Sequence, residues 1–489
     1  TKPGEKLILS YSDTNAKGEG ISPAYLIGSI RSLYPKLEIE GGAGVRPHKN
    51  SINNYCYPEN PEAGIDLFLE KLVQETGKEH EDILEQADET DAMFGELYSW
   101  YLRNPEYRSR VQKLVQSAFA GKPKDIISQS VAKALYGEVS PYSATRLERF
   151  AACAFAHFLQ YGMKLTERVE YEFKPMDMGN VMHEALESFA EEVRKRGMKW
   201  TELTEQERNE IADRCLDNIV ADYGNTVLKS SARNEYMIER TRRILRRTVW
   251  ALQKQLEQGE FQPEGFEVTF GGGRIDRVDI MEDQNKVYVK VIDYKTGNTS
   301  FDLVYLYHGL QLQLMIYLDG ALRVEQKKYP DKEIIPAGVF YYNIKDPMIQ
   351  EKIDADVEAV SAGLMKELKM NGLVQADPEL VYRMDSSLGS IPVAFNKDGS
   401  FRKNSSVADR TQFAMLGRYV RTKIEKIRSS ILEGDAEVSP YELGKKNACT
   451  YCPYMTVCGF DRKLSGYEFR RLKNFSDEEL WKVFDREAE

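Results

Sequence analysis

Asp293 and Lys295 stand two residues apart in VIDYKTG, residues 291–297, where an apolar run ends. In an extended strand, residues two apart face the same side, so an acid and a base enter one pocket while Tyr294 points away. Asp276, in GGGRIDRVD, lies on the preceding strand, and a short hairpin around the turn-like MEDQNK brings it beside Asp293. Two converging carboxylates next to a lysine make a hard-cation site of the kind Mg2+ favours, with several waters retained. Such a cation polarises a phosphodiester and lowers the pKa of a bound water, while Lys295 orients that water or offsets charge developing at phosphorus. An aspartate and a lysine at a strand end also occur as a plain surface ion pair, and the spacing alone does not choose between these readings.

A second constellation is made of thiols. Cys449, Cys452 and Cys458 fall in ACTYCPYMTVCGF, a C-x2-C-x5-C pattern that leaves a four-thiolate site one ligand short. Cys153, far upstream, is able to supply the fourth and so to staple an early helix to the C-terminal tail. Zn2+ and an iron-sulfur cluster both accept four cysteines, and spacing leaves the choice open. Cys56 and Cys215 read as ordinary core or surface thiols, and six cysteines in 489 residues do not resemble a disulfide scaffold.

The elements that must position these residues are legible from periodicity. EKLILS reads as a buried strand, followed by a helix starting near Ser22 and Pro23, and residues 60 to 135 are helical in pattern. From Ser143, a suitable N-cap, a helix is expected to carry Leu147, Phe150, Ala151, Ala154 and Phe158 on one side, with Cys153 and His157 on it. His183 falls on a further amphipathic helix, and long helices continue to about residue 258. The period then changes, and the stretch FEVTFGGGRIDRVDIMEDQNKVYVKVIDYKTG reads as strands. A helical stretch, YLYHGLQLQLMIYLDGAL, and a strand, IIPAGVFYYNI, follow; FNKDGSFRKNSS reads as an exposed hairpin or loop. The order helix, strands, helix, strand indicates an α/β core.

Composition narrows the partners. A chain of 489 residues exceeds one compact core, so two or three domains are expected. With 67 Lys and Arg against 77 Asp and Glu, the net charge of −10 does not by itself announce a nucleic-acid binder, though local patches contact phosphates in acidic chains too. One such patch is ERTRRILRRTVW, in which Arg240, Arg243 and Arg247 recur at helical spacing as either a solvated helix face or a DNA track. No run of about 18 apolar residues and no leader pattern occurs, so no membrane association is expected and the expected location is cytoplasmic.

Four short patterns follow one another: Gly179 and His183 as G-x-x-x-H, Gly273 and Asp276 as G-x-x-D, Asp293, Tyr294 and Lys295 as D-Y-K, and Gln313 with Tyr317 as Q-x-x-x-Y. In that order they resemble the RecB-like branch of the PD-(D/E)XK nuclease superfamily. The resemblance implies an α/β, restriction-endonuclease-like core with helical additions. It also implies that His183, Asp276, Asp293 and the carbonyl of Tyr294 bind Mg2+, that Lys295 is the catalytic lysine, and that Gln313 and Tyr317 approach the DNA backbone or support the site.

One cysteine ahead of these motifs and three behind them resembles the staple of AddB-type nuclease domains, which implies a 4Fe-4S cluster on Cys153, Cys449, Cys452 and Cys458. The resemblance to B subunits of bacterial ATP-dependent helicase-nucleases covers about residues 136 to 465. The layout it implies is the end of a helicase-like region and a helical connector over 1–135, the nuclease domain over 136–470 and a helical tail over 471–489. No G-x4-G-K-S/T phosphate loop occurs, so no ATP site is visible and the chain is expected to be the C-terminal part of a longer subunit. The family implies a Mg2+-dependent DNA exonuclease that processes double-strand break ends for recombinational repair. It would degrade the 5′-ended strand, as a hetero-dimer with a helicase-nuclease A subunit and on a single strand drawn from the duplex. A stand-alone iron-sulfur exonuclease is the alternative enzyme, against which the first 135 residues count; a non-catalytic DNA-end-binding module with a zinc site is the third reading.

Overall fold

The structure is a computed structural model that describes residues 24–37, 61–76, 89–118, 126–137, 143–166, 175–222, 231–271, 273–349, 356–464 and 466–486. The opening strand, the cap at Ser22 and Pro23, and Cys56 lie outside the described residues. The chain divides into two units, Thr1–Ala118 and Phe119–Glu489.

In the first unit the described residues form helices α1 (Tyr25–Leu33), α2 (Pro61–Thr76), α3 (Glu89–Arg103) and α4 (Pro105–Ala118). Proline and glutamate in the first turns of α2 and α4 suit helix starts, where one N–H is dispensable and negative charge meets the positive end of the dipole. Ile65, Phe68 and Leu72 recur at helical spacing on α2 and bury against Tyr101 and Val111. Phe68 stacks on Phe94 with ring centroids 4.6 Å apart.

The second unit opens with α5 (Gln129–Tyr136), α6 (Ala144–Ala152) and α7 (Ala154–His157), the last running on into a π turn, Phe158–Gly162. Three longer helices follow, α8 (Pro175–Lys195), α9 (Glu205–Asp222) and α10 (Ala232–Glu257). The sheet then begins with β1 (Gln262–Phe270), β2 (Gly273–Asp283) and β3 (Lys286–Lys295), crosses over through α11 (Leu303–Tyr307) and α12 (Gln313–Lys328), and returns as β4 (Glu333–Asn343). It is completed by α13 (Val357–Glu367), β5 (Asn371–Gln375), α14 (Pro378–Met384), β6 (Val407–Ala408) and α15 (Arg410–Glu433). A small second sheet of β7 (Tyr441–Leu443), β8 (Lys446–Asn447) and β9 (Arg470–Arg471) brackets α16 (Met455–Cys458), and α17 (Asp477–Arg486) ends the described chain.

The main sheet has six strands in the order β1-β2-β3-β4-β5-β6. β1, β2 and β3 form an antiparallel meander, whereas β3 and β4 are parallel, as a helical crossover allows. Both faces are covered, which is why β2 and β3 are buried along almost their whole length. On one face α8, α9 and α10 pack on Met281, Tyr288, Ile292, Phe340 and Tyr342. On the other, α6, α12 and α15 pack on Val289, Val291, Val339 and Tyr341. The buried charges of the sheet are paired: Arg277 Nε lies 2.5 Å and Lys290 Nζ 2.9 Å from the Asp279 carboxylate. Those two cations outweigh burial and hold the Asp279 carboxyl below the usual range.

Two expected helices are broken. The run from Ser143 does not pass straight through Cys153, which takes an extended conformation, φ −165° and ψ 117°, and joins α6 to α7. The run from Tyr305 breaks at Gly309, whose φ of +78° lies in the left-handed region that glycine occupies without strain. Each break serves a site, the first by placing a sulfur and the second by letting α12 start afresh at Gln313.

His157 is fully buried among Tyr136, Phe150 and Tyr161, and its Nε2 accepts from Arg146 Nε at 3.3 Å. Burial, reinforced by Arg146 and Arg149, pushes its pKa down to about 3, so the ring is neutral in the fold. Because the folded value is depressed, the stabilisation is present above the unfolded pKa of about 6.5 and is lost as the pH falls toward 3. Urea unfolding at pH 5 is therefore expected to show about 2 kcal/mol less stability than at pH 7 from this residue alone, and His157→Gln should flatten that part of the profile. An unchanged pH slope in the variant would count against it.

Candidate active site

The carboxylates meet because of strand register. β2 and β3 pair with Arg277 opposite Ile292, so Asp276 and Asp293, one residue further along, stand across from each other at the strand ends. Gly273, which opens β2 at φ +150°, supplies a backbone that residues with side chains rarely adopt. Asp276 Oδ2 accepts from Tyr294 N at 2.7 Å, and Nδ1 of His183, on α8, lies 3.3 Å from the same oxygen. The Tyr294 ring turns to the opposite face, edge-on to His183 and Tyr342.

Asp293, with a side chain only 1% exposed, is held from the other side of the sheet. Lys295 Nζ stands 2.6 Å from its Oδ2, and Gln313 Nε2 donates to its Oδ1 at 2.9 Å. Gln313 Oε1 accepts from Lys295 Nζ at 2.8 Å, and Gln313 Nε2 also reaches the Tyr317 hydroxyl at 2.9 Å. One amide therefore links the acid, the lysine and the tyrosine one helical turn on.

Burial pushes the Asp293 carboxyl up to about 7; Asp276 adds to the push, and Lys295 and His183 oppose it. For His183, burial works against the charged ring, but the neighbouring carboxylates of Asp276 and Glu267 overcome it and lift the pKa to about 10. A pocket that stabilises a positive ring among carboxylates has the oxygen and imidazole donors of a divalent-cation site.

Glu267 is the functional candidate that sequence reasoning missed. Its Oε1 lies 3.9 Å from His183 Nδ1, and the ligand atoms of His183, Glu267 and Asp276 all fall within 4.8 Å of one another. Among the described residues this is the one group of three or more histidine, cysteine or acidic side chains so close together. Glu267 sits on β1 at φ +50°, just past a register shift between Pro263 and Gly265, and Arg274 pairs with it. The one signal in the sequence is an acid inside the apolar strand GFEVTF. The sequence-derived set is thus brought together in two parts, His183 with Asp276, and Asp293 with Lys295, Gln313 and Tyr317, while Tyr294 joins the first part through its N–H.

Comparison with known proteins identifies the family. The family model described as the PD-(D/E)XK nuclease superfamily matches residues 141–459. The chain belongs to that superfamily. Curated proteins named as the B subunit of an ATP-dependent helicase/deoxyribonuclease are similar along its whole length. The one from Lachnoclostridium phytofermentans is 39% identical over 513 residues, covering 100% of this chain and 42% of that protein. Its namesake from Alkaliphilus metalliredigens is 32% identical over 516 residues, with 100% of this chain and 43% of the relative covered. A Thermoanaerobacter protein of the same name is 30% identical over 512 residues, again with 100% and 43% covered. The chain therefore spans less than half the length of these relatives.

Beyond the strand ends, this PD-(D/E)XK chain gathers four thiols. Cys153, Cys449, Cys452 and Cys458 line one small cavity with Phe155, Tyr454 and Phe460. Burial pushes the Cys449 thiol up to about 11, and the three neighbouring sulfurs push the same way. Burial also raises Cys153, while the backbone N–H groups of Ala156, Ser439 and Phe155 oppose it. Phe460 N donates to Cys458 Sγ at 3.5 Å and Arg149 Nη2 to Cys452 Sγ at 3.8 Å. Cys215 is a buried core thiol on α9.

Four arginines of α10 are paired, Arg240 not among them. Arg243 and Arg247 pair with Asp346, Arg242 with Asp213, Asp217 and Glu239, and Arg246 with Asp213. These contacts brace α10 against α9 and the end of β4, which favours a structural helix face over a DNA track. Among the described residues no helix is long and apolar enough to cross a membrane.

Proposed function

We propose that this chain is the nuclease portion of a helicase-nuclease B subunit and hydrolyses phosphodiester bonds of single-stranded DNA with Mg2+. The observation that carries the reading is the Gln313 amide joining Asp293 and Lys295 directly across the hairpin from Asp276 and His183. His183, Asp276, Asp293 and the Tyr294 carbonyl, with Glu267 added, would hold Mg2+, which supplies charge neutralisation at the phosphate and a water of lowered pKa. Lys295 orients the attacking water and donates toward charge developing at phosphorus. Gln313 and Asp293 fix the ammonium group in that direction, so little reorganisation accompanies reaction. Tyr317, turned toward Gln313, completes the wall on which the strand backbone lies.

The relatives are named as the B subunit of an ATP-dependent helicase/deoxyribonuclease, which supports a DNA substrate and a partner subunit. We take the partner to be a helicase-nuclease A subunit in a hetero-dimer that trims double-strand break ends in the cytoplasm, with the 5′-ended strand as substrate. The four thiols would hold a 4Fe-4S cluster. Four thiolates on one tetrahedral Zn2+ at about 2.3 Å would stand about 3.8 Å apart, whereas no three of these sulfurs lie within 4.8 Å of one another.

The test is anaerobic incubation of the chain, alone and in its helicase complex, with single strands labelled at either end, with Mg2+ or with EDTA. Cutting that requires Mg2+ and releases the 5′ label first is the expected result. Absence of Mg2+-dependent products in both preparations would overturn the reading.

A further inference from the structure

The glutamine that joins acid to lysine begins a helix whose start cannot cap itself. The first N–H groups of any α-helix lack intrahelical partners. At α12 the preceding residue is Leu312, whose side chain accepts nothing. Glu148, on α6, fills the gap from another element: its Oε1 accepts from Leu312 N at 2.7 Å and from Gln313 N at 2.9 Å. A carboxylate in this place meets both the orphan donors and the positive end of the helix dipole. Burial pushes the Glu148 carboxyl up to about 7, and the two backbone N–H groups and Lys295 oppose that push.

The helix that carries Glu148 is also bound to the cysteine centre. Arg149, the next residue, donates to Cys452 Sγ, and α6 ends at Cys153. On the other side of the contact, Gln313 spends both ends of its amide on Lys295, Asp293 and Tyr317. A shift of the first turn of α12 therefore moves all three contacts together.

We propose that Glu148 is a positioning residue: it clamps the first turn of α12 to the cysteine-bearing helix α6 and so holds Gln313 between Asp293 and Lys295. The proposal rests on the reading of those residues as the reaction centre. Glutamine at 148 keeps an acceptor for both amides, aspartate keeps the charge but falls short by one carbon, and alanine leaves both amides unpaired.

The experiment compares wild type, Glu148→Gln, Glu148→Asp and Glu148→Ala as intact, metal-loaded chains. It reads kcat and KM on single-stranded DNA together with hydrogen exchange of the peptide containing residues 312–317. Glu148→Ala and Glu148→Asp are expected to lower kcat about 10- to 100-fold, as a misplacement near 1 Å does, with KM within a few-fold of wild type. Exchange at the start of α12 should accelerate in both, and Glu148→Gln should restore both readings. Wild-type exchange in the aspartate variant overturns the clamp even if the alanine variant fails to fold. Faster exchange with unchanged kcat overturns the link to the reaction. If wild type itself does not cut, the reaction reading fails, and exchange alone decides the clamp.

Discussion

Lys295→Ala is expected to lower Mg2+-dependent cutting by about 100- to 1,000-fold, the loss seen when one preorganised donor to a developing negative charge is removed. The side chain is 27% exposed and ends on Asp293 and Gln313, so its removal opens no large cavity and the melting temperature should change little. Its loss acts twice. The donor to the transition state disappears, and one of the groups holding the Asp293 carboxyl down is withdrawn. Asp293 then shifts toward its neutral form and serves less well as a metal ligand. Lys295→Arg should recover little, because a planar guanidinium cannot occupy the small space between Asp293 and Gln313 as an ammonium does. Single-turnover cutting rates with saturating Mg2+ separate the two effects. A variant that cuts at the wild-type rate would show that another group does the work and would sink the assignment of Lys295.

The pattern of what sequence revealed follows from how each feature is encoded. Asp293 and Lys295 are adjacent in a strand, and Gln313 and Tyr317 in a helix, so period alone places each pair on one face. Asp276 needed only a tight hairpin, and the two-residue turn between Asp283 and Lys286 supplies it. Glu267 and Glu148 were silent because their meaning lies in tertiary approach. One depends on a register shift and a left-handed backbone in β1, the other on a contact between residues more than a hundred positions apart. The helix breaks divide in the same way. Gly309 carried a local signal that the helical reading ran through, whereas Cys153 bends the chain because its sulfur faces a cavity shared with the C-terminal cysteines. The stripe of arginines on α10 was ambiguous for the converse reason: periodicity shows that Arg240, Arg243 and Arg247 share a face, and only the partner Asp346 shows that two of the three are already paired.

Cys153→Ser is expected to remove iron from the protein, abolish a visible band near about 400 nm, and lower the stability of the second unit by about 2–5 kcal/mol. The size follows from topology. Cys153 and Cys449 are about 300 residues apart in sequence, so a covalent bridge between them removes a large loop-closure entropy from the unfolded chain. For a unit of this size that loss corresponds to a melting temperature lower by about 3–6 °C. The native contacts at the bridge cannot compensate. The cluster of Cys153, Ala156, Leu159 and Tyr454 is small, and the strands around it, Tyr441–Leu443 and Lys446–Asn447, are too short to stand alone. The consequence reaches the site, since α6 ends at Cys153 and carries Glu148, whose carboxylate caps the helix of Gln313. Cutting is therefore expected to fall in Cys153→Ser even at temperatures where the unit stays folded. Metal analysis of anaerobic wild type decides the identity of the group. Iron supports the cluster, whereas stoichiometric zinc would keep the bridge and remove the cluster. An unchanged melting temperature after complete loss of metal would show that the four thiols gather without holding the fold.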